Sequence, residues 1–171
     1  MNKEQKQEII KETQKELDFK FMQEAINEAN QAYNLSEIPI GAVIECDNKI
    51  ISKGHNLKEN NKNSILHAEI IAINEATKVL NRWRLEDCTL YVNLEPCLMC
   101  AGAIINSRIK RVVFASFDEK SGAFGSVINV NDLKLNHKVE ITSGILEEES
   151  KEIIQKFFKE LRDGEQKKFW T

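Results

Sequence analysis

The sequence predicts an α/β protein from two observations. Short β-rich runs alternate with segments of helical period, and turn or stop residues separate the two kinds. Its 171 residues suit one domain, which at that size buries about 70% of the surface its unfolded chain exposes. Leu17 to Tyr33 reads as the first helix, since Met22, Ile26, Ala29 and Tyr33 form one apolar stripe. The stretch before it, 1–16, has Ile9 and Ile10 as nearly its only apolar positions. It reads as an extension, helical or frayed, that the chemistry does not need. Ile40 to Cys46 and Lys49 to Lys53 are β-type runs joined at Asp47-Asn48, residues that tolerate the tight turn of a hairpin.

Polar Asn56 to Asn63 forms a loop leading to His67. Beyond it Ile70, Ile71, Ile73, Ala76, Val79 and Leu80 keep a helical period, so His67 stands at a helix start. Cys88 to Leu94 reads as a strand that Glu95-Pro96 stops. Small and apolar Cys97 to Asn106 follows as a helix, with Pro just before it as a helix start prefers. Arg111 to Phe117 and Lys138 to Ile145 read as later strands. Leu146 to Leu161 reads as the last helix, with Ile153, Ile154, Phe157, Phe158 and Leu161 apolar.

Composition narrows the class. The chain is 42% hydrophobic and 30% charged, and no apolar run approaches the roughly 20 residues of a membrane helix. Met1 to Lys20 mixes Lys, Glu and Gln without an apolar core, so the expected address is cytoplasmic and reducing. There the four cysteines are thiols or metal ligands, and Cys46 and Cys88 read as small buried hydrophobes. A net charge of -3 gives no global attraction to nucleic acid, so such contact has to come from local patches. Arg108, Lys110 and Arg111 form one. Lys151 to Thr171, with six Lys or Arg against four Asp or Glu, forms another.

The chemistry lies in His67-Ala68-Glu69 and Pro96-Cys97-Leu98-Met99-Cys100. Either half alone says little: C-x-x-C is also half of a structural zinc site or a redox pair. Together they offer three ligands and a carboxylate that need not be one. His67 and Glu69, two apart at a helix start, do not share a face, whereas Cys97 and Cys100, close to one turn apart, both reach one ion. A closed site would need a fourth ligand, and of the remaining Cys46, Cys88, His55 and His137 none lies at matching spacing. An open site keeps a position for water. Two thiolates and an imidazole also neutralise Zn²⁺ and weaken it as a Lewis acid, so a general base is expected, and Glu69 is the candidate.

H-x-E with P-C-x-x-C is the signature of zinc nucleobase deaminases. The likeness extends from about Ile38 to Arg162, through Pro39-Ile40-Gly41-Ala42-Val43, Gly54-His55-Asn56, Leu94 to Ala103, Ser107-Arg108-Ile109 and Asn136-His137. The chain thereby resembles the bacterial tRNA-specific adenosine deaminases of the cytidine deaminase-like superfamily. The resemblance implies a three-layer α/β/α fold with a mixed five-stranded sheet, and the domain is read as 17–165 with a short tail, 166–171, after it. It implies a homodimer with one Zn²⁺ per subunit, held by His67, Cys97 and Cys100. The implied partner is the tRNA anticodon loop, whose wobble adenosine is hydrolysed to inosine while Glu69 moves the protons.

Four further positions follow from the resemblance. Asn56 matches a contact to the target base, Asp118 a position near its sugar, and Asn136 and Phe158 further substrate contacts. Arg108, Lys110, Lys120, Lys159 and Arg162 are the candidates for phosphates. The chain departs from the family at Asn63-Ser64-Ile65-Leu66, where Asp-Pro-Thr-Ala is common, and at Phe117, where a polar residue is common. Both bear on loop shape and flanking-nucleotide preference. The alternatives are a deaminase of a free base or nucleoside, of guanine or cytidine type, and a non-catalytic zinc-containing RNA-binding subunit that would not need Glu69.

Overall fold

The computed structural model describes residues 2–166. The hairpin forms where Asp47 and Asn48 both take left-handed backbone angles, φ 52° and 60°, joining β1 (Gly41–Cys46) to β2 (Lys49–His55). The other strands are β3 (Cys88–Leu94), β4 (Arg111–Ser116) and β5 (Glu140–Ser143). They build one sheet in the order β2-β1-β3-β4-β5, with β1 antiparallel to both neighbours and β3, β4 and β5 mutually parallel. The sheet is mixed and five-stranded, as the resemblance implies.

Alternation along the strands sends side chains to two faces. Ala42, Ile44, Leu90, Val92, Val112 and Phe114 pack on one side with α2 (Ala68–Leu80) and α3 (Leu98–Asn106). Val43, Tyr91, Val113 and Ala115 pack on the other against α1 (Lys3–Asn34), and α4 (Glu147–Asp163) covers the same side beside it. Three α/β/α layers result. Cys46 and Cys88 lie in the first core, as small buried hydrophobes should. No described helix is long and apolar enough to cross a membrane.

Several boundaries differ from the sequence reading, and three have a visible cause. The first helix starts at Lys3 behind a capping box in which Asn2 and Gln5 exchange hydrogen bonds of 2.8 and 2.9 Å, so residues 3–16 continue α1 as exposed helix. The strand β4 stops before Phe117, whose exposed ring meets Phe114 edge-on at 5.0 Å. The strand β5 begins at Glu140, because the Asn131 side chain takes both backbone groups of Val139: its amide donates to the carbonyl at 2.8 Å and its oxygen accepts from the N–H at 3.0 Å.

Candidate active site

Both motif halves lie at helix starts, on the helices that follow β2 and β3. His67 is the N-cap of α2 and Cys97 the N-cap of α3, each with extended backbone. What seats α2 is Gly54 on β2. A Cβ there would lie 2.4 Å from the Ala68 carbonyl oxygen and 2.8 Å from the Ala72 amide, so only glycine lets helix and strand meet this closely. Asn56, the first residue past β2, accepts a 3.0 Å hydrogen bond from the Ala68 N–H through Oδ1 and so caps the helix next to the histidine.

His67 Nδ1 stands 3.7 Å from Cys97 Sγ and 3.6 Å from Cys100 Sγ. One ligand atom from each residue falls within 4.8 Å of the others, the arrangement of a three-ligand metal group. The hydrogen bond from the Cys100 thiol, against the penalty of burial and with help from His67, holds the Cys97 thiol down to about 4. That thiolate raises the imidazole of His67, first through the hydrogen bond between them, and likewise pushes the Cys100 thiol up. The trio therefore releases one thiol proton readily and the second only if positive charge arrives. A dication supplies that charge, and sulfur with imidazole nitrogen suits zinc.

Glu69, in the first turn of α2, is 4% exposed, and its Oε2 has no hydrogen-bond partner among the described residues. Burial pushes its carboxyl up to about 6, close to neutral pH. Buried polar atoms rarely lack partners, so this orphan is a site prepared for something that arrives. A second thiol-rich group, Cys46, Asp87 and Cys88, has a similar spread, but Arg82 holds Asp87 at 2.5 Å and burial raises both thiols. Nothing there matches an orphaned carboxylate.

The 117–126 loop closes over Cys97. Gly122 bridges to Cys97, and Ala123 N–H donates to the Pro96 carbonyl at 2.9 Å. Asp118 Oδ1 accepts from the Lys120 and Ser121 amides at 3.0 and 3.3 Å, and the Ser121 hydroxyl donates to Oδ2, so its carboxylate is held by its own turn. Glu95 is the residue that sequence reasoning passes over as a strand stop. It is 2% exposed and accepts from Phe124 N–H at 2.9 Å, Ser126 N–H at 3.1 Å, Asp118 N–H at 3.1 Å and the Ser126 hydroxyl. The available signal was a charged residue wedged between an apolar strand and Pro96.

The remaining candidates separate. Lys120, Phe158 and Arg162 line one cleft of about 290 Å³ with Ile154 and Gln155, and Phe158 leaves 38% of its surface open beside buried Phe157. Lys159 is exposed on the same helix, and Asn136 is exposed in the connection to β5. Arg108 folds back to donate to the Ile105 carbonyl at 3.0 Å. With Lys110 it precedes β4, at the opposite end of the parallel strands from Cys97, about 20 Å away along a strand of this length. The structure does not gather those two with the rest. Of the 166–171 tail, 167–171 lies outside the described residues.

A family model described as MafB19-like deaminase matches residues 16–162. The tRNA-specific adenosine deaminase of Bacillus subtilis (strain 168) is 50% identical over 151 residues, 88% of this chain and 92% of that one. The tRNA-specific adenosine deaminase of Haemophilus influenzae is 47% identical over 150 residues, 86% and 87% of the two chains. A solved structure from work on A-to-I editing by tRNA:A34 deaminases at the wobble position of transfer RNA superposes with a TM-score of 0.76. It is 39% identical and covers 78% of this chain and 97% of its own. Likeness of this extent, over the segment that carries His67, Glu69, Cys97 and Cys100, makes the chain a member of the tRNA-specific adenosine deaminases among the MafB19-like deaminases.

Proposed function

We propose that the chain hydrolyses adenosine to inosine at the wobble position of a tRNA anticodon, consuming water and releasing ammonia. The observation that carries the reading is the buried, unpartnered Oε2 of Glu69 beside His67, Cys97 and Cys100, in a chain that tRNA-specific adenosine deaminases match over most of its length. The three ligands would hold one Zn²⁺ per chain, through Nδ1 and two sulfurs. When bound, the ion lowers the pKa of a water from about 15.7 to about 7 and so supplies a nucleophile at neutral pH.

Glu69 would take one proton from the attacking water and give it to the ring nitrogen of the adenine, which keeps it. It would then carry the second proton, from the new C6 hydroxyl, to the departing amine, which leaves as ammonia. A carboxyl that burial raises to about 6 both accepts and gives up a proton near neutrality. Asn56 has its oxygen committed to Ala68 N–H, which leaves its amide donors for an acceptor on the base. Asp118, braced in its turn, is the acceptor for a sugar hydroxyl, and Asn136 is a further contact. Phe158 offers a surface on which a flanking base can stack, worth about 1 to 3 kcal/mol. Lys120, Lys159 and Arg162 surround it for phosphates, whereas Arg108 and Lys110 serve only RNA that reaches the far end of the sheet. An anticodon loop suits such a site, because its bases are already free of the pairing that extrusion from a duplex would break.

A homodimer belongs to the same reading. Leu98, Met99, Val127 and Ile128 are exposed on segments that the Cys97 to Gly122 bridge brings together, an apolar patch that a second subunit would cover. A tRNA substrate fits the cytoplasmic address expected from the sequence.

Purified protein is expected to form inosine in an anticodon stem-loop with adenosine at the wobble position, read by nucleoside chromatography. Equal or faster turnover of free adenosine, guanine or cytidine would sink the tRNA reading in favour of a free-base or nucleoside deaminase. Binding of the stem-loop with no turnover of any of them would favour the non-catalytic subunit.

A further inference from the structure

We propose that Glu95 is a positioning residue for this reaction: its buried carboxylate sets the 117–126 loop against the metal-ligand segment and thereby places Asp118 for the substrate. The inference rests on the proposed function, in which Asp118 meets the sugar of the target nucleotide.

All four groups that Glu95 accepts from, the amides of Asp118, Phe124 and Ser126 and the Ser126 hydroxyl, belong to this one loop. The residue itself belongs to the other partner: its own N–H donates to the Ser116 carbonyl at 2.8 Å, and Pro96 and Cys97 follow it directly. One carboxylate thus pins the sugar-side loop to the ligand segment across 23 to 31 residues of sequence. Gly122 shows how closely the two are fitted. A Cβ there would come within 2.3 Å of the Glu95 carboxyl.

Placing an anion where it is 2% exposed, with no ion pair to it among the described residues, is costly unless its lone pairs are used. Here they are, each oxygen by two donors. The same pattern makes the residue hard to replace. A glutamine keeps the shape but turns an NH₂ toward a backbone N–H whichever way its amide lies, so the loop loses one anchor and gains a repulsion. The loop bears no metal ligand, so the loss should fall on substrate placement and leave the metal alone.

The test is a double-mutant cycle on the anticodon stem-loop. Glu95→Gln is expected to lower kcat/KM about tenfold, chiefly through KM, with metal content unchanged from wild type. In an Asp118→Ala background the same change is expected to cost less than twofold, because the group it places is gone. The milder Ser126→Ala, which removes one donor from the loop side, should show a smaller loss that also disappears with Asp118→Ala. It decides the matter if Glu95→Gln does not fold. Equal losses with and without Asp118, or loss of metal in Glu95→Gln, would overturn the positioning role and leave Glu95 a general support of the fold. Wild-type turnover of the stem-loop separates the claims: without it the proposed function fails, whereas with it and additive losses only the role of Glu95 does.

Discussion

Glu69 carries the price of a working site in a single side chain. Nothing in the described structure satisfies its Oε2, and its burial disfavours the charged form. A residue kept for stability would be paired, so the strain points to a role in proton transfer. Glu69→Gln is expected to lower kcat about 10³-fold. Metal content by mass spectrometry should stay at the wild-type value, and the melting temperature should not fall. Lost metal would make Glu69 a ligand, and retained turnover would end its role as proton carrier. Among single residues, the gathering of His67, Cys97 and Cys100 was legible in the sequence because such residue types are unusual at that spacing. Glu95 was not, since a carboxylate's partners cannot be read from its neighbours in the chain.

At the scale of elements, the site depends on two helix starts delivered to one place. The periodicity of Ile70 to Leu80 and the Pro96 stop located both starts in the sequence, and α2 and α3 begin where they predict. What holds α2 at the correct depth is less visible: Gly54 beneath it and Asn56 at its cap. Gly54→Ala would force the helix away from β2 and is expected to cost about 3 kcal/mol of stability, as overpacking of a close contact does. Because His67 caps the displaced helix, metal affinity should weaken as well. Denaturant unfolding and a zinc titration check the two effects, and an unchanged midpoint would show that the strand gives way instead of the helix. The element that differed most was the extension. Residues 3–16 carry little apolar surface, so periodicity could not declare a helix that its Asn2 and Gln5 capping box and its continuity with the packed part of α1 support.

Across the whole molecule, the outer helix α1 is tied to the sheet by Asp18, 3% exposed. It receives Arg111 through two hydrogen bonds of 2.8 and 2.6 Å, Tyr91 OH at 2.8 Å and Gln14 at 2.9 Å. Burial resists ionisation of Asp18, but the hydrogen bonds from Arg111, Gln14 and Tyr91 outweigh it and hold the carboxyl below its usual value. A carboxyl with a folded pKa below the unfolded one, 3.8, contributes its full stability above that value and loses it as pH falls through the folded pKa. Asp18→Asn leaves half-buried Arg111 without its counter-charge and is expected to cost about 2 kcal/mol near neutrality, a loss that shrinks in acid. Urea titrations of both proteins at pH 7 and below 3 measure it, and a pH-independent difference would mean that packing, not charge, is lost. The network lies at the end of β4 remote from Cys97, so turnover per folded molecule should hold.

The sequence by itself determined the alternation of strands and helices and the motif whose His67, Cys97 and Cys100 could hold a metal ion. Each is encoded in local periodicity or in residue types whose chemistry is specific at short range. Strand order, the two-sided burial of the sheet and the Glu95 to loop contacts were decided only by the tertiary structure, because they join residues tens of positions apart whose attraction exists once the backbone has brought them together. Asp118 marks the boundary. The sequence offers it as a carboxylate in a polar loop, and the fold turns that loop toward Cys97 and ties it to Glu95, two residues before that cysteine.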